Sequence, residues 1–261
     1  MNPHFNITRF INYGRYNILL NKKTYLFAIL GLAASLFLLV FIMGMNSAFR
    51  HQANWVALYF ISMSIVLVPI IGYAFPAFRN KEIATRYYVL PASILEKYIY
   101  EFLLKIVIIP LLFALIFPII SNMAIAMSEY IFSVFSTYTE KQNTTFSYGD
   151  LGKFISKDHI ATVIIIVYTL TSTLLFTGAT AFRKHPLIQT VIFIGLIVLT
   201  TIGYFYILFE KFNLNKGIGY TFSKIFKDSD DIAFNYLFIA IILTATSALT
   251  YAYFKLKERQ V

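Results

Sequence analysis

Six long apolar segments without a single charged side chain constrain this chain more than any other feature. They cover residues 24–44, 53–78, 106–128, 160–182, 186–209 and 232–254. As an α-helix, each segment can cross a hydrocarbon layer roughly 30 Å thick at about 1.5 Å per residue. Helices of soluble domains keep a polar face, and strands of membrane barrels are shorter and alternate polar with apolar residues. The sequence therefore predicts an all-α integral membrane protein with six transmembrane helices in a single domain, residues 1–261.

The charged residues between these segments are sorted by side. Six spans place both termini and the second and fourth loops on one side, which carries 14 of the 22 Lys and Arg residues and 4 of the 12 acids. The other side carries 8 basic and 8 acidic residues, so the whole formal net charge of +10 falls on the first side. Because cytoplasmic loops are enriched in Lys and Arg, we expect both termini to be cytoplasmic. The basic balance then reflects membrane topology and anionic lipid, not nucleic acid.

An amphipathic segment, residues 5–21, precedes the first apolar run. It mixes large apolar side chains with Arg9 and Arg15. This composition is typical of an interfacial helix that buries its apolar face at the membrane surface and directs its arginines to lipid headgroups. A frayed basic arm is the alternative. We expect an N-terminal amphipathic interfacial helix on the cytoplasmic side.

The second cytoplasmic loop holds the most specific local pattern in the chain. Ile83, Tyr87 and Leu90 are spaced by four and three residues, so they share one face of a short helix. Pro91 ends that helix, because proline disfavours the helical conformation at the residue before it. A short amphipathic helix held between two spans suits docking onto a cytoplasmic partner. A loop on the membrane surface is the alternative.

A second helix is predicted to start directly after this break. Ser93 and Glu96 have the spacing of a capping box, in which each side chain accepts a hydrogen bond from the other residue's backbone amide. The helix then runs from Ile94 into the third span. Glu101 and Lys105 form an i,i+4 pair at the membrane edge.

No catalytic, cofactor-binding or metal-binding pattern is recognisable in the sequence. Gly152-Lys153-Phe154 lacks the upstream glycine and the following Ser or Thr of a P-loop, the four histidines fall in separate arms and loops, and there is no cysteine. Ion-coupled transporters usually place ionisable residues inside the bilayer, and these six segments have none. We therefore expect no enzyme activity and no cofactor in this chain, and energy for any transport must come from another protein.

Several features together resemble a known family. They are the N-terminal arm, six spans with both termini inside, the string Leu90-Pro-Ala-Ser-Ile-Leu-Glu-Lys-Tyr98 after the second span, and the ending Tyr253-Phe-Lys-Leu-Lys-Glu-Arg259. On these features the chain resembles the permease subunits of ABC-2 type ABC transporters, especially the short six-span kind of Bacteroidetes-like bacteria. The resemblance covers most of the chain.

The resemblance implies a transmembrane subunit of an ATP-driven exporter in the bacterial inner membrane. Two permease copies, or one copy and a homologue, would form the pathway within membrane lipid, and separate cytoplasmic P-loop ATPase chains would bind ATP and Mg²⁺. The segment 79–90 corresponds to the family's coupling helix, and 210–231 to its outer segment, which often re-enters the membrane. The implied docking residues are Arg79, Lys81, Glu82, Ile83, Arg86, Tyr87 and Leu90.

A non-transport role is the alternative. The same uncharged spans show no substrate-binding group, which fits a membrane scaffold or an assembly subunit of a larger complex. A P-loop ATPase among the chain's stable partners would favour the permease, and its absence would favour the scaffold. The sequence identifies no transported compound and no residue that binds one.

Overall fold

A computed structural model describes residues 5–45, 52–79, 81–135, 145–155, 160–182, 184–211 and 230–258. These residues form ten α-helices, one 3₁₀ turn and one π-helical segment, and they contain no β-strand. The α-helices are α1 (Ile7–Leu20), α2 (Lys22–Gly44), α3 (Gln52–Gly72), α4 (Lys81–Val89), α5 (Ile94–Phe102), α6 (Ile109–Phe135), α7 (Tyr148–Ile155), α8 (Ile160–Ala181), α9 (Pro186–Lys211) and α10 (Asp230–Glu258). The 3₁₀ turn is Pro76–Phe78, and the π-helical segment is Leu103–Ile108.

Six helical stretches are long and apolar enough to cross a membrane. They are Lys22–Gly44, Trp55–Gly72, Ile94–Ile131, Val163–Ala181, Pro186–Tyr204 and Ile239–Glu258. Large apolar side chains such as Phe27, Leu115 and Leu199 are exposed on them. A helix with apolar side chains all round suits a lipid environment. The structure confirms the prediction that the chain is helical and has six helices long and apolar enough to span a membrane.

The second spanning helix ends before its apolar segment does. Helix α3 stops at Gly72, and Phe75 has a φ of 56°, in the left-handed region. Phe75 precedes Pro76, and a proline disfavours the right-handed helical conformation at the preceding residue. Pro76 then opens the 3₁₀ turn. Hydrophobicity continues to residue 78, so the apolar run alone overestimates the length of this helix.

The third spanning stretch is helical without interruption from α5 through the π-helical segment to the end of α6. Pro110 comes directly after the π-helical segment. Proline lacks the amide that would donate the regular helical hydrogen bond, and such positions tolerate altered helix geometry. The predicted span 106–128 therefore lies inside a longer helical rod that begins at Ile94.

The chain packs as two compact units, and unit 1 contains Met1–Ile70 and Thr85–Val163. Within unit 1, α2 packs closely along α6. A Cβ added at Gly44 would lie 2.5 Å from the Oγ of Ser128, so this close approach requires glycine. The buried core of unit 1 is formed by Leu36, Val40, Trp55, Leu58, Tyr59, Phe113, Phe117, Ala124, Ile125 and Phe146.

Unit 2 contains Ile71–Ala84 and Ile164–Val261. A side chain at position 178 of α8 would collide with Thr190 of α9. Gly178 therefore permits α8 and α9 to approach closely, as Gly44 does for α2 and α6. Thr177 Oγ1 donates a hydrogen bond to the carbonyl of Ala248 at 3.1 Å, which links α8 to α10. The single-domain interpretation of residues 1–261 stays a prediction.

Candidate functional site

Helix α1 is fixed at its start and packs against α5. The side chain of Asn6 accepts hydrogen bonds from the backbone amides of Thr8 and Arg9, as a helix N-cap does. Further along α1, the buried ring of Tyr13 meets the ring of Tyr100 edge-on, with centroids 5.2 Å apart. The cap at Asn6 and the contact between Tyr13 and Tyr100 therefore fix the position of α1 within unit 1.

Glu96 is the centre of a buried polar junction between α1 and α5. Its side chain is fully buried, and its carboxylate accepts hydrogen bonds from the guanidinium of Arg9 at 2.7–3.0 Å. It also accepts from the backbone amides of Asn6 at 2.9 Å and Ser93 at 2.8 Å. The hydrogen bond to Glu96 raises the pKa of Arg9 above its ordinary value, so the guanidinium stays charged. Four donors compensate the burial of this carboxylate.

The capping box predicted at the start of α5 is present. The amide of Glu96 donates to Ser93 Oγ at 3.2 Å, and the amide of Ser93 donates to Glu96 Oε2. The same carboxylate therefore caps α5 and holds α1. The bond to Arg9 is not predictable from the sequence, because a capping box accounts for Glu96 locally and no nearby pattern indicates a partner 87 residues away.

Lys97 anchors the end of α4. Its side chain is buried, and Nζ donates to the carbonyl of Tyr87 at 2.5 Å while lying 4.4 Å from the centroid of the Tyr87 ring. The carbonyls in the last turn of a helix lack helical partners, and a lysine can satisfy one of them. Since Lys97 and Glu96 are neighbours, the end of α4 and the start of α1 are both tied to the first turn of α5.

The seven predicted docking residues have different positions. Arg79 lies between the 3₁₀ turn and α4, and its Nη2 donates to the carbonyl of Ala74 at 2.8 Å. Ile83 is exposed, Tyr87 is buried, and Leu90 follows the last residue of α4 and is half-buried. The side chains that lie outside the described ones are those of Lys81, Glu82 and Arg86.

A different face of α4 is exposed near its end. Tyr88 and Val89 have 48% and 78% of their surface accessible, and Thr85, one turn earlier, is exposed as well. Residues three and four apart share a helix face, so these three form one surface. We call Thr85, Tyr88 and Val89 the α4 face. The spacing of apolar residues predicts Tyr87 as a docking residue, and in the structure its side chain is buried beside Lys97. Its role in docking stays a prediction.

The predicted pair of Glu101 and Lys105 is formed at the junction of α5 with the π-helical segment. The two charged groups are 2.9 Å apart, and both side chains are largely buried. The predicted outer segment 210–231 lies mostly outside the described residues, which stop at 211 and resume at 230. Among the described side chains, no group of three or more His, Asp or Glu residues is placed to hold a metal ion.

Comparison with protein-family models, with curated proteins and with solved structures finds no match for this chain. A functional assignment therefore depends on the residues and the geometry themselves. In the part of the chain that the structure describes, the candidate site is the buried polar junction of Arg9, Glu96 and Lys97, with the α4 face beside it.

Proposed function

We propose that this chain is the transmembrane permease subunit of an ATP-driven exporter of the ABC-2 type. Two such subunits, or one and a homologue, form the pathway in the inner membrane of a bacterium, and separate cytoplasmic P-loop ATPase chains hydrolyse ATP with Mg²⁺. The chain itself is not an enzyme and holds no cofactor. Both termini are cytoplasmic, α1 is the interfacial helix and α4 is the coupling helix. Six membrane-length helices and the one-sided positive charge support this assignment.

The anchoring of α4 to α5 is the observation that carries the proposal. A helix that only rests on the membrane surface does not need a buried lysine of another helix bound to its last turn. Here the buried Lys97 joins the end of α4 to the first turn of α5, and Glu96 joins that same turn to α1. Buried charges that are hydrogen-bonded hold one arrangement firmly, because each would be costly to leave without a partner.

This junction gives a route for mechanical coupling. A partner that moves α4 also moves α5, since Lys97 connects them directly. Helix α5 continues through the π-helical segment into α6, which ends at Phe135. A displacement at the cytoplasmic end is thereby passed along one helical rod into the membrane. In this proposal ATP hydrolysis by the partner changes the position of the third span.

A scaffold or assembly subunit is the second candidate, and the hydroxyl groups of α8 favour it. Thr173 Oγ1 donates to the carbonyl of Thr169 at 2.7 Å, and Thr180 Oγ1 donates to the carbonyl of Thr177 at 2.7 Å. Hydroxyls that are satisfied by their own helix provide close packing more than a polar path for a substrate. A permease without a polar path suits an apolar or amphiphilic cargo, whereas a scaffold needs no path.

Co-purification distinguishes the two candidates. The tagged full-length chain is extracted from its native membrane in a mild detergent, and the proteins that accompany it are identified by mass spectrometry. The permease proposal expects a soluble P-loop ATPase in stoichiometric amount. If an intact complex repeatedly contains no such ATPase, the permease proposal is wrong and the scaffold takes its place.

The docking surface is tested by charge insertion on the α4 face. Val89→Asp is expected to abolish co-purification of the ATPase, because an aspartate in an apolar contact loses its hydration without gaining a partner. Val134→Asp is the matched control, since Val134 is also exposed but lies near the other end of the third spanning stretch. Ile83→Asp tests the docking residue predicted from the sequence. Full ATPase binding by Val89→Asp would exclude the α4 face as the docking surface.

A further inference from the structure

A groove runs between α1 and the junction of α5 with the π-helical segment. Its volume is about 430 Å³, within the range of roughly 300–1,000 Å³ that is usual for small-ligand pockets. Its apolar walls include Ile11, Ile18 and Leu19 from α1, and Tyr100, Leu103 and Ile108 from the facing helical stretch. A π-helical segment is rare and often marks a functional position in a helix. All of these residues belong to unit 1.

The surroundings of the groove are those of a lipid tail. The facing stretch Ile94–Ile131 is long and apolar enough to cross a membrane, and the groove lies along its first turns. Leu19, Leu103 and Ile108 expose much of their surface here. An apolar cleft at the end of a spanning helix meets acyl chains before it meets water.

The rim of the groove carries a positive charge. Arg15 is the one charged residue among those that line it, and its side chain is exposed. The sequence has no Asp or Glu before Glu82, and the nearby acids Glu96 and Glu101 are paired with Arg9 and Lys105. In the part of the chain that the structure describes, Arg15 forms no ion pair.

We propose that this groove holds one acyl chain of an anionic phospholipid, whose phosphate is bound by Arg15. A guanidinium binds a phosphate through two parallel N–H donors, which fixes the position of the headgroup. An apolar groove gains little by taking an acyl chain from a bilayer that is equally apolar, so the headgroup contact must provide the preference. This lipid site requires membrane insertion only and does not depend on an ATPase partner.

Native mass spectrometry tests the lipid preference directly. The full-length protein in mild detergent is titrated with phosphatidylglycerol and with phosphatidylcholine of the same acyl chains. We expect one phosphatidylglycerol to be retained per chain, in preference to phosphatidylcholine. Arg15→Gln should weaken phosphatidylglycerol binding about tenfold, as expected for loss of one charge-assisted contact. Lys23→Gln, at an exposed cation of α2 outside the groove, should leave binding unchanged.

The acyl-chain part of the proposal has its own pair of variants. Leu19→Trp fills the groove and should abolish the retained lipid, whereas Leu20→Trp changes an exposed neighbour that does not line it and should not. If Arg15→Gln and Leu19→Trp both bind phosphatidylglycerol as the unchanged protein does, the proposal is wrong.

Crosslinking in the unchanged protein locates the lipid without any variant that affects folding. Phosphatidylglycerol with a photoreactive diazirine on its acyl chain should attach to residues of α1 or of the π-helical segment. Attachment confined to other spans would overturn the site.

The chain has no cysteine, so Leu19→Cys provides a single thiol. A disulfide from that thiol to a cysteine introduced in a second copy would show that protein fills the groove, which would also overturn the proposal.

Discussion

The side chains of Glu96 and Arg9 differ in their exposure to solvent. This difference determines how much stability is lost when either residue is replaced. The side chain of Glu96 is fully buried, whereas a quarter of the Arg9 side chain is accessible. A charge left inside a protein without its partner is costly, whereas a charge at the edge can turn to solvent. The two members of this pair are therefore not equivalent in their contribution to stability.

Arg9→Met is expected to lower the thermal unfolding midpoint of the full-length chain in detergent. The drop in degrees should be several times larger than the drop caused by Glu96→Gln. The first change strands a buried carboxylate, while the neutral glutamine needs no ionic partner and its single carbonyl oxygen still accepts one of the two backbone hydrogen bonds, from Asn6 or from Ser93. Size-exclusion chromatography after a heating series measures the midpoint. Glu258→Gln, in an exposed pair with Lys255, is the control and should change little. Equal losses from both changes at the junction would contradict this account.

At the scale of elements, Lys97 determines how firmly α4 is held. Lys97→Met removes the donor to the Tyr87 carbonyl and the cation above its ring, but it keeps the length of the side chain. A hydrogen bond to a charged group contributes about 1.5–3 kcal/mol, so amide hydrogen exchange across Lys81–Val89 should rise about tenfold or more. Lys22→Met, at an exposed lysine that starts α2, should leave that exchange unchanged. Unaltered protection of α4 would show that other contacts hold it.

The elements differ in how well the sequence predicts them, and the reason is the range of the interactions that form them. Pro91, Ser93 and Glu96 stop one helix and start the next through neighbouring residues, so the break between α4 and α5 is predictable. The contact of Arg9 with Glu96 depends on tertiary packing and leaves no local pattern. The inward direction of Tyr87 follows from Lys97 ten residues later, which spacing on one helix does not reveal.

At the scale of the whole molecule, the six spanning helices are predictable because a membrane demands long uninterrupted apolar segments. How these helices pack against one another is not predictable, since all faces of such a helix are apolar and lipid contacts are as favourable as protein contacts. The sequence, with its 11 glycines, does not reveal which side chains Gly44 and Gly178 approach. Their roles depend on Ser128 and Thr190, which lie on other helices.

The one-sided charge makes a prediction about orientation that two cysteine variants can check, because the chain has no cysteine of its own. Val89 lies on the α4 face, on the side predicted to carry the net charge of +10. Gly152 lies on α7, on the predicted opposite side, and a side chain there meets open space. Since positive loops stay in the cytoplasm, a membrane-impermeant maleimide should label Gly152→Cys in intact cells and Val89→Cys only after permeabilisation. The reverse pattern would place the α4 face outside the cell, out of reach of any cytoplasmic ATPase, and would exclude the permease proposal together with the predicted topology.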